Sequence, residues 1–181
     1  MFGMAADYYV RNGIGRATNL QETLDILKMA DEQGLVLQPS NTQDIVNICC
    51  CCGDCCGVLR TIKKFPKPAR LVFSPFVVSL NPETCQGCGL CIERCQMDAL
   101  SLVDEKATLN IDHCIGCGLC VSTCPTESLT LVRKAASDQP NIPKDMIKAS
   151  IQRGRERGTL TPLNLVQMLI KSKIDRLLAA R

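Results

Sequence analysis

Apolar and polar positions alternate with two different periods along this chain, helical towards its ends and strand-like in its middle. Over residues 19–33, Leu20, Leu24 and Leu27 recur on one helical face. Thr18 stands at the cap position, Gln21 completes a capping-box pattern, and Gly34 supplies a stop. Leu35-Val36-Leu37 reads as a short strand before a turn at Pro39-Ser40-Asn41. In the middle, Leu71 to Leu80 forms an extended lead-in. Ala99-Leu100-Ser101-Leu102-Val103 and Ser128-Leu129-Thr130-Leu131-Val132 alternate as half-buried strands do, and Asp104-Glu105-Lys106 is a turn into a strand from Ala107 to Ile111. Further on, Pro143 suits the first position of a helix running to about Arg157 and ended by Gly158. Thr161-Pro162 opens a second helix with Leu163, Val166, Ile170, Ile174 and Leu177 on one face. The mixture predicts an α+β fold.

The two central strands belong to an internal repeat of 29 residues. Asn81 to Cys95 aligns without gaps on Asn110 to Cys124, and the likeness continues from Ala99–Val103 to Ser128–Val132. One copy cannot bury its own apolar face, so the two are expected to pack together with pseudo-two-fold symmetry. Each copy carries Cys-x2-Cys-x2-Cys-x3-Cys. The first three cysteines of such a run wrap three corners of a cubane from a single loop, and Gly87, Gly89, Gly116 and Gly118 provide the sharp turning this needs. The fourth lies one helical turn on and points away.

Composition agrees with a fold organised partly by cofactors. Cysteine contributes 14 of the 181 residues, aromatics only 3%, and Trp is absent. A disulfide scaffold is the alternative for so many cysteines. The clumping at short fixed spacings suits metal ligation better, and the Met-Phe-Gly-Met-Ala-Ala-Asp start shows no basic then apolar export pattern. A cytoplasmic, reducing compartment is therefore expected. No apolar run reaches membrane-spanning length, since Leu163 to Ala180 is broken by Lys171, Lys173, Asp175 and Arg176.

The doubled eight-cysteine pattern resembles the bacterial-type two-cluster ferredoxins over residues 81–132. The resemblance implies a ferredoxin-like dicluster module of two short hairpins and short helices, to which the helical periodicities before and after it add helical N- and C-terminal extensions. It implies two [4Fe–4S] clusters, the fourth Cys of each run serving the other cluster. Carried over residue by residue, cluster I takes Cys85, Cys88, Cys91 and Cys124, and cluster II takes Cys114, Cys117, Cys120 and Cys95. One departure stands out. Cys124 is followed by the expected Pro125, but Cys95 is followed by Gln96, which should loosen the turn or alter solvent access near cluster II. Zinc is the competing occupant of four cysteines, but structural zinc sites commonly pair two Cys-x-x-Cys knuckles and need no crossed fourth ligand. His113 is the single histidine, which excludes a Ser/His/Asp site anywhere else, and no Gly-x-Gly-x-x-Gly indicates a nucleotide. The expected role is low-potential one-electron transfer between redox partner proteins, with no catalytic residue.

Residues 49–56 hold six more cysteines in eight positions, Cys-Cys-Cys-Cys-Gly-Asp-Cys-Cys. Cys49, Cys52 and Cys55 repeat the Cys-x2-Cys-x2-Cys spacing, and Cys56 is the nearest fourth ligand for a third iron–sulfur cluster or a zinc ion. With its Asp-Tyr-Tyr-Val start and this segment, the whole chain also resembles the C-terminal portion of larger anaerobe ferredoxin-fusion proteins. An alternative role follows: a redox enzyme component whose extra metal site is fed by the ferredoxin clusters. The expected organisation is an N-terminal helical segment (1–46), a cysteine-rich knot and basic linker (47–70), the dicluster domain (71–132) and a basic helical tail (133–181). Residues 1–132 carry 10 Lys+Arg against 14 Asp+Glu, a net −4, whereas residues 133–181 carry 11 against 4, a net +7. Such a tail suits an acidic partner, or a role in redox- or metal-sensing interactions. Nucleic acid is not expected, because no Phe, Tyr or Trp follows Phe76.

Overall fold

The computed structural model describes residues 1–179. They fall into two compact units, residues 1–40 with 45–141, and residues 41–44 with 142–181.

The first unit begins with helices α1 (Gly3–Arg11) and α2 (Leu20–Glu32). Asn19, not Thr18, caps α2, its side-chain oxygen accepting the Glu22 backbone N–H at 2.8 Å. Thr18 is one residue too early for this and contacts the Thr23 hydroxyl instead. The buried face of α2 also differs from the expected leucine stripe. Ala30 is buried, whereas Leu20 is 76% exposed. The helix leads into strand β1 (Val36–Pro39), which pairs antiparallel with β2 (Ile48–Cys51), and a short helix α3 (Gly57–Ile62) follows. The fully buried Leu59 on α3 and Val36 on β1 anchor this hairpin to the rest of the unit.

The remaining strands form two two-stranded sheets. β3 (Phe76–Leu80) pairs with β6 (Leu129–Arg133), and β4 (Leu100–Val103) pairs with β5 (Lys106–Leu109), both antiparallel. The strand expected to reach Ile111 ends at Leu109, because Asn110 turns the chain, its side chain accepting the Asp112 N–H at 3.1 Å. Helices α4 (Leu90–Arg94) and α5 (Leu119–Ser122) complete the two repeats.

Each sheet takes one strand from each repeat, and the registers recur at the 29-residue offset. Leu80 faces Leu129 as Leu109 faces Leu100, and Val78 faces Leu131 as Ala107 faces Leu102. One buried cluster consists of three pairs at the same offset: Val78 and Ala107, Cys91 and Cys120, Leu100 and Leu129. A second cluster breaks the repetition. Val36 and Leu59 cover Met97, Ile115 and Leu119. Leu119 is accordingly 2% exposed while its counterpart Leu90 is 42% exposed. The N-terminal hairpin therefore lies over the second cysteine loop and leaves the equivalent face of the first open.

In the second unit, Gln43 and Asp44 donate backbone N–H groups to Pro143 and Lys144 carbonyls at 2.9 and 2.8 Å. Pro143 thus precedes the helix it was expected to open. Helix α6 (Met146–Glu156) is capped by Asp145, whose carboxylate accepts the Lys148 N–H at 2.8 Å, and Gly158 follows it with a left-handed φ of 67°. Helix α7 (Pro162–Ala179) starts where the sequence indicates, the Thr161 hydroxyl accepting the Asn164 N–H. No helix among the described residues is long and apolar enough to cross a membrane.

Candidate metal centres

Each cysteine loop begins on an Asn turn. Asn81 accepts the Glu83 N–H as Asn110 accepts that of Asp112. Glycines in the left-handed region then reverse the chain between the thiols, Gly87 and Gly89 in the first loop and Gly116 and Gly118 in the second. α4 and α5 start directly after Gly89 and Gly118, so the third cysteine of each run is fixed on a helical turn and buried. That turn ends just before Cys95 and Cys124, and carries each towards the opposite loop.

The outcome is two small hollows, each lined by four thiols. The first is lined by Cys85, Cys88, Cys91 and Cys124, with Leu80, Leu102 and Leu129 among its walls. The second is lined by Cys114, Cys117, Cys120 and Cys95, with Val78, Leu100 and Leu109. Four soft donors around a mostly apolar hollow are the donor chemistry that an iron–sulfur cluster needs. No thiol is in a disulfide among the described residues.

The electrostatics of the two hollows differ. Burial pushes the Cys120 thiol up to about 12, and burial also raises Cys91. Cys85 moves the other way, because its sulfur accepts the Ala107 and Gly87 backbone N–H groups, the former at 3.4 Å. Cys124 is also lowered. Burial opposes this, but the Thr126 hydroxyl and the N–H groups of Thr126, Leu129 and Ser128 outweigh it. Thr126 belongs to a hydroxyl chain that sequence reasoning missed: Thr84 donates to Ser128 at 2.9 Å, Ser128 lies 2.6 Å from Thr126, and Thr126 lies 3.6 Å from the Cys124 sulfur. The positions equivalent to Thr126 and Ser128 are Met97 and Ala99, which offer no hydroxyl. At Cys95 the recorded donor is the Ala99 backbone N–H, at 3.2 Å.

Gln96 is the second residue whose role was not foreseen. Its amide oxygen accepts the Gly53 N–H at 2.7 Å and its amide nitrogen donates to the Gly34 carbonyl at 3.1 Å. Its neighbour Arg94 donates to the Asp31 and Glu32 carbonyls at the end of α2. The departure from proline yields a side chain that ties the segment carrying Cys95 to two other segments. The signal lay in the sequence, as a divergence between aligned repeats at Gln96/Pro125 and Met97/Thr126.

The six cysteines of residues 49–56 are split by β2. Cys49 and Cys50 lie exposed on the strand, and the Cys49 sulfur takes a hydrogen bond from Asn47 at 3.1 Å. Cys52 and Cys55 come together, with donor atoms of Cys52, Asp54 and Cys55 all within 4.8 Å of one another. Cys56 adjoins Cys51, whose thiol is raised to about 11 by burial first and then by this neighbour.

The family model for the 4Fe-4S dicluster domain matches residues 78–131, 54 of the 181 residues. No curated protein matches the chain. Residues 78–131 are thus a ferredoxin-type 4Fe–4S dicluster domain.

Proposed function

We propose that this dicluster domain makes the chain a low-potential one-electron carrier or electron-transfer subunit serving redox partner proteins. The observation that carries the reading is the crossed gathering of thiols, three from one loop and the fourth from the other, around each hollow. Cys85, Cys88, Cys91 and Cys124 would hold cluster I, and Cys114, Cys117, Cys120 and Cys95 cluster II. Bound there, a [4Fe–4S] cluster supplies a reversible one-electron store. The recurrence of register at 29 residues supports reading the repeats as related by a pseudo-two-fold axis. The protein's own contribution is to exclude water with leucine and valine walls and to aim dipoles at the sulfurs. Apolar walls disfavour added negative charge, hence the low potential. The cysteine-rich segment is taken as a further metal site.

The test is iron and sulfide analysis of the anaerobically purified chain with EPR of the reduced protein. The ferredoxin clusters should account for about 8 iron atoms per chain. Iron of about half that, with all eight thiols intact, overturns the two-cluster reading.

The hydroxyl chain at Cys124 leads to a separate expectation. A hydrogen bond to a cluster sulfur stabilises the more negative, reduced state and raises the potential. Thr126→Val should therefore lower the potential of cluster I and leave cluster II unchanged in a redox titration followed by EPR. Equal shifts at both clusters would remove the hydroxyl from the account.

A further inference from the structure

We propose that residues 51–56 form a metal–thiolate centre built onto the loop of cluster II, with Cys51, Cys52, Cys55 and Cys56 as ligands and Gln96 as the positioning residue that joins the two. The inference rests on reading the second hollow as the site of cluster II.

Three independent features place the segment there. The first is the staple itself. Gly53 follows Cys52 directly, Gln96 follows Cys95 directly, and the two are joined by the 2.7 Å hydrogen bond from the Gly53 N–H to the Gln96 amide oxygen. A Cβ at Gly53 would lie 2.8 Å from both that oxygen and the Gln96 carbonyl, so the close approach requires glycine. The second is burial. Cys51, Cys56 and Cys95 pack against the same cluster of Val36, Leu59, Met97, Ile115 and Leu119. The third is asymmetry between the repeats. Met97 and Ile115 are apolar where the opposite repeat has Thr126 and Gln86 respectively, and Gln96 stands where the other repeat has Pro125. The hairpin meets these residues around the second hollow, which Gln96, Met97 and Ile115 line.

The ligand set follows from placement. Cys52 and Cys55 form a Cys-x-x-Cys knuckle, closed by the Cys56 N–H bonding the Cys52 carbonyl at 3.1 Å. Cys51 and Cys56, either side of the knuckle in sequence, pack against one buried cluster, and Gln38 donates to the Cys56 sulfur at 3.8 Å. Cys51 takes the place of Cys49 in the expected set because Cys51 packs with Cys56 against the buried cluster, whereas Cys49 does not. Asp54 sits beside the knuckle with its carboxylate near both thiols. On binding, each thiol releases its proton to solvent and its sulfur donates an electron pair to the metal. A single zinc ion and an iron–sulfur cluster share this thiolate chemistry.

The test uses the full chain, purified anaerobically, as wild type, as the Cys52→Ser/Cys55→Ser double variant and as Gln96→Ala. Iron, acid-labile sulfide and zinc are counted, retention against EDTA is timed, and both ferredoxin clusters are followed by EPR. Wild type should hold metal beyond the about 8 irons of the two cubanes. One zinc per chain identifies a single ion, and further iron with sulfide identifies a cluster; either supports the proposal. The double variant should lose this metal and keep the 8. Gln96→Ala should release it at least tenfold faster and perturb the signal of cluster II, not of cluster I. Wild type with no metal beyond the cubanes overturns the proposal, as does unchanged retention in Gln96→Ala. Loss of ferredoxin iron from the double variant does the same. Iron short of 8 in wild type with the extra metal still present would instead count against the two-cluster reading.

Discussion

Cys95→Ala is expected to abolish the cluster of the second loop while leaving that of the first loop in place. Cys95 closes α4 in the first repeat, four residues after Cys91, yet it lines the hollow formed by Cys114, Cys117 and Cys120. Sequence proximity alone assigns it to the wrong loop. With Cys95 removed, three thiols remain around that hollow, and the iron content should fall from about 8 towards about 4. Cys124→Ala is the mirror experiment and should remove the cluster of Cys85, Cys88 and Cys91. EPR of the reduced variants distinguishes the two losses, because the hydroxyl chain of Thr84, Ser128 and Thr126 borders only the first site. If Cys95→Ala and Cys85→Ala destroy the same signal, the ligand sets are uncrossed and the assignment fails.

The gathering of eight thiols around two hollows was legible because their spacing is itself a local geometric constraint. Three thiols within seven residues have to wrap one centre, and a gapless repeat announces that two such loops share a fold. Strand alternation was legible for the same reason, since a core shared by both repeats imposes the same pattern twice. Asn19 and Asp145 were harder to read. A cap is chosen among neighbouring polar residues by backbone direction, and Thr18 and Pro143 were equally plausible on composition. Gln96 was legible only as an anomaly. Its partners Gly34 and Gly53 lie 62 and 43 residues away, and periodicity carries no information about such contacts. The cysteine-rich segment lies between these cases, because its spacing brings six thiols close along the chain while β2 decides which of them meet.

The glycine at the centre of each cysteine loop should be far less replaceable than the one two residues on. Gly87 and Gly116 have φ of 69° and 66°, where a side chain costs about 1–2 kcal/mol. Gly89 and Gly118 share that conformation, at 79° and 85°, and so share that cost. The difference lies in what surrounds them. A Cβ on Gly87 would come 2.1 Å from the Glu105 carbonyl oxygen, and one on Gly116 would come 2.2 Å from that of Phe76. Neither contact can relax through a side-chain rotation, because both atoms are backbone. Glu105 sits in the β4–β5 turn, where it and Asp104 already hold left-handed φ values of 59° and 49°. Moving that turn displaces β5, and with it the Ala107 N–H that bonds the Cys85 sulfur. At Gly89, by contrast, a Cβ meets nothing within 4 Å, and at Gly118 only the Leu131 side chain at 3.5 Å. Gly89→Ala should therefore lose about 1–2 kcal/mol and still assemble both clusters. Gly87→Ala should lose more than about 3 kcal/mol, a large share of a small domain's stability, and fail to retain the first cluster. The check is iron content together with the temperature at which the visible absorbance of each variant bleaches. Gly87→Ala bleaching at the same temperature as Gly89→Ala would show that the loop does not lean on the Glu105 carbonyl.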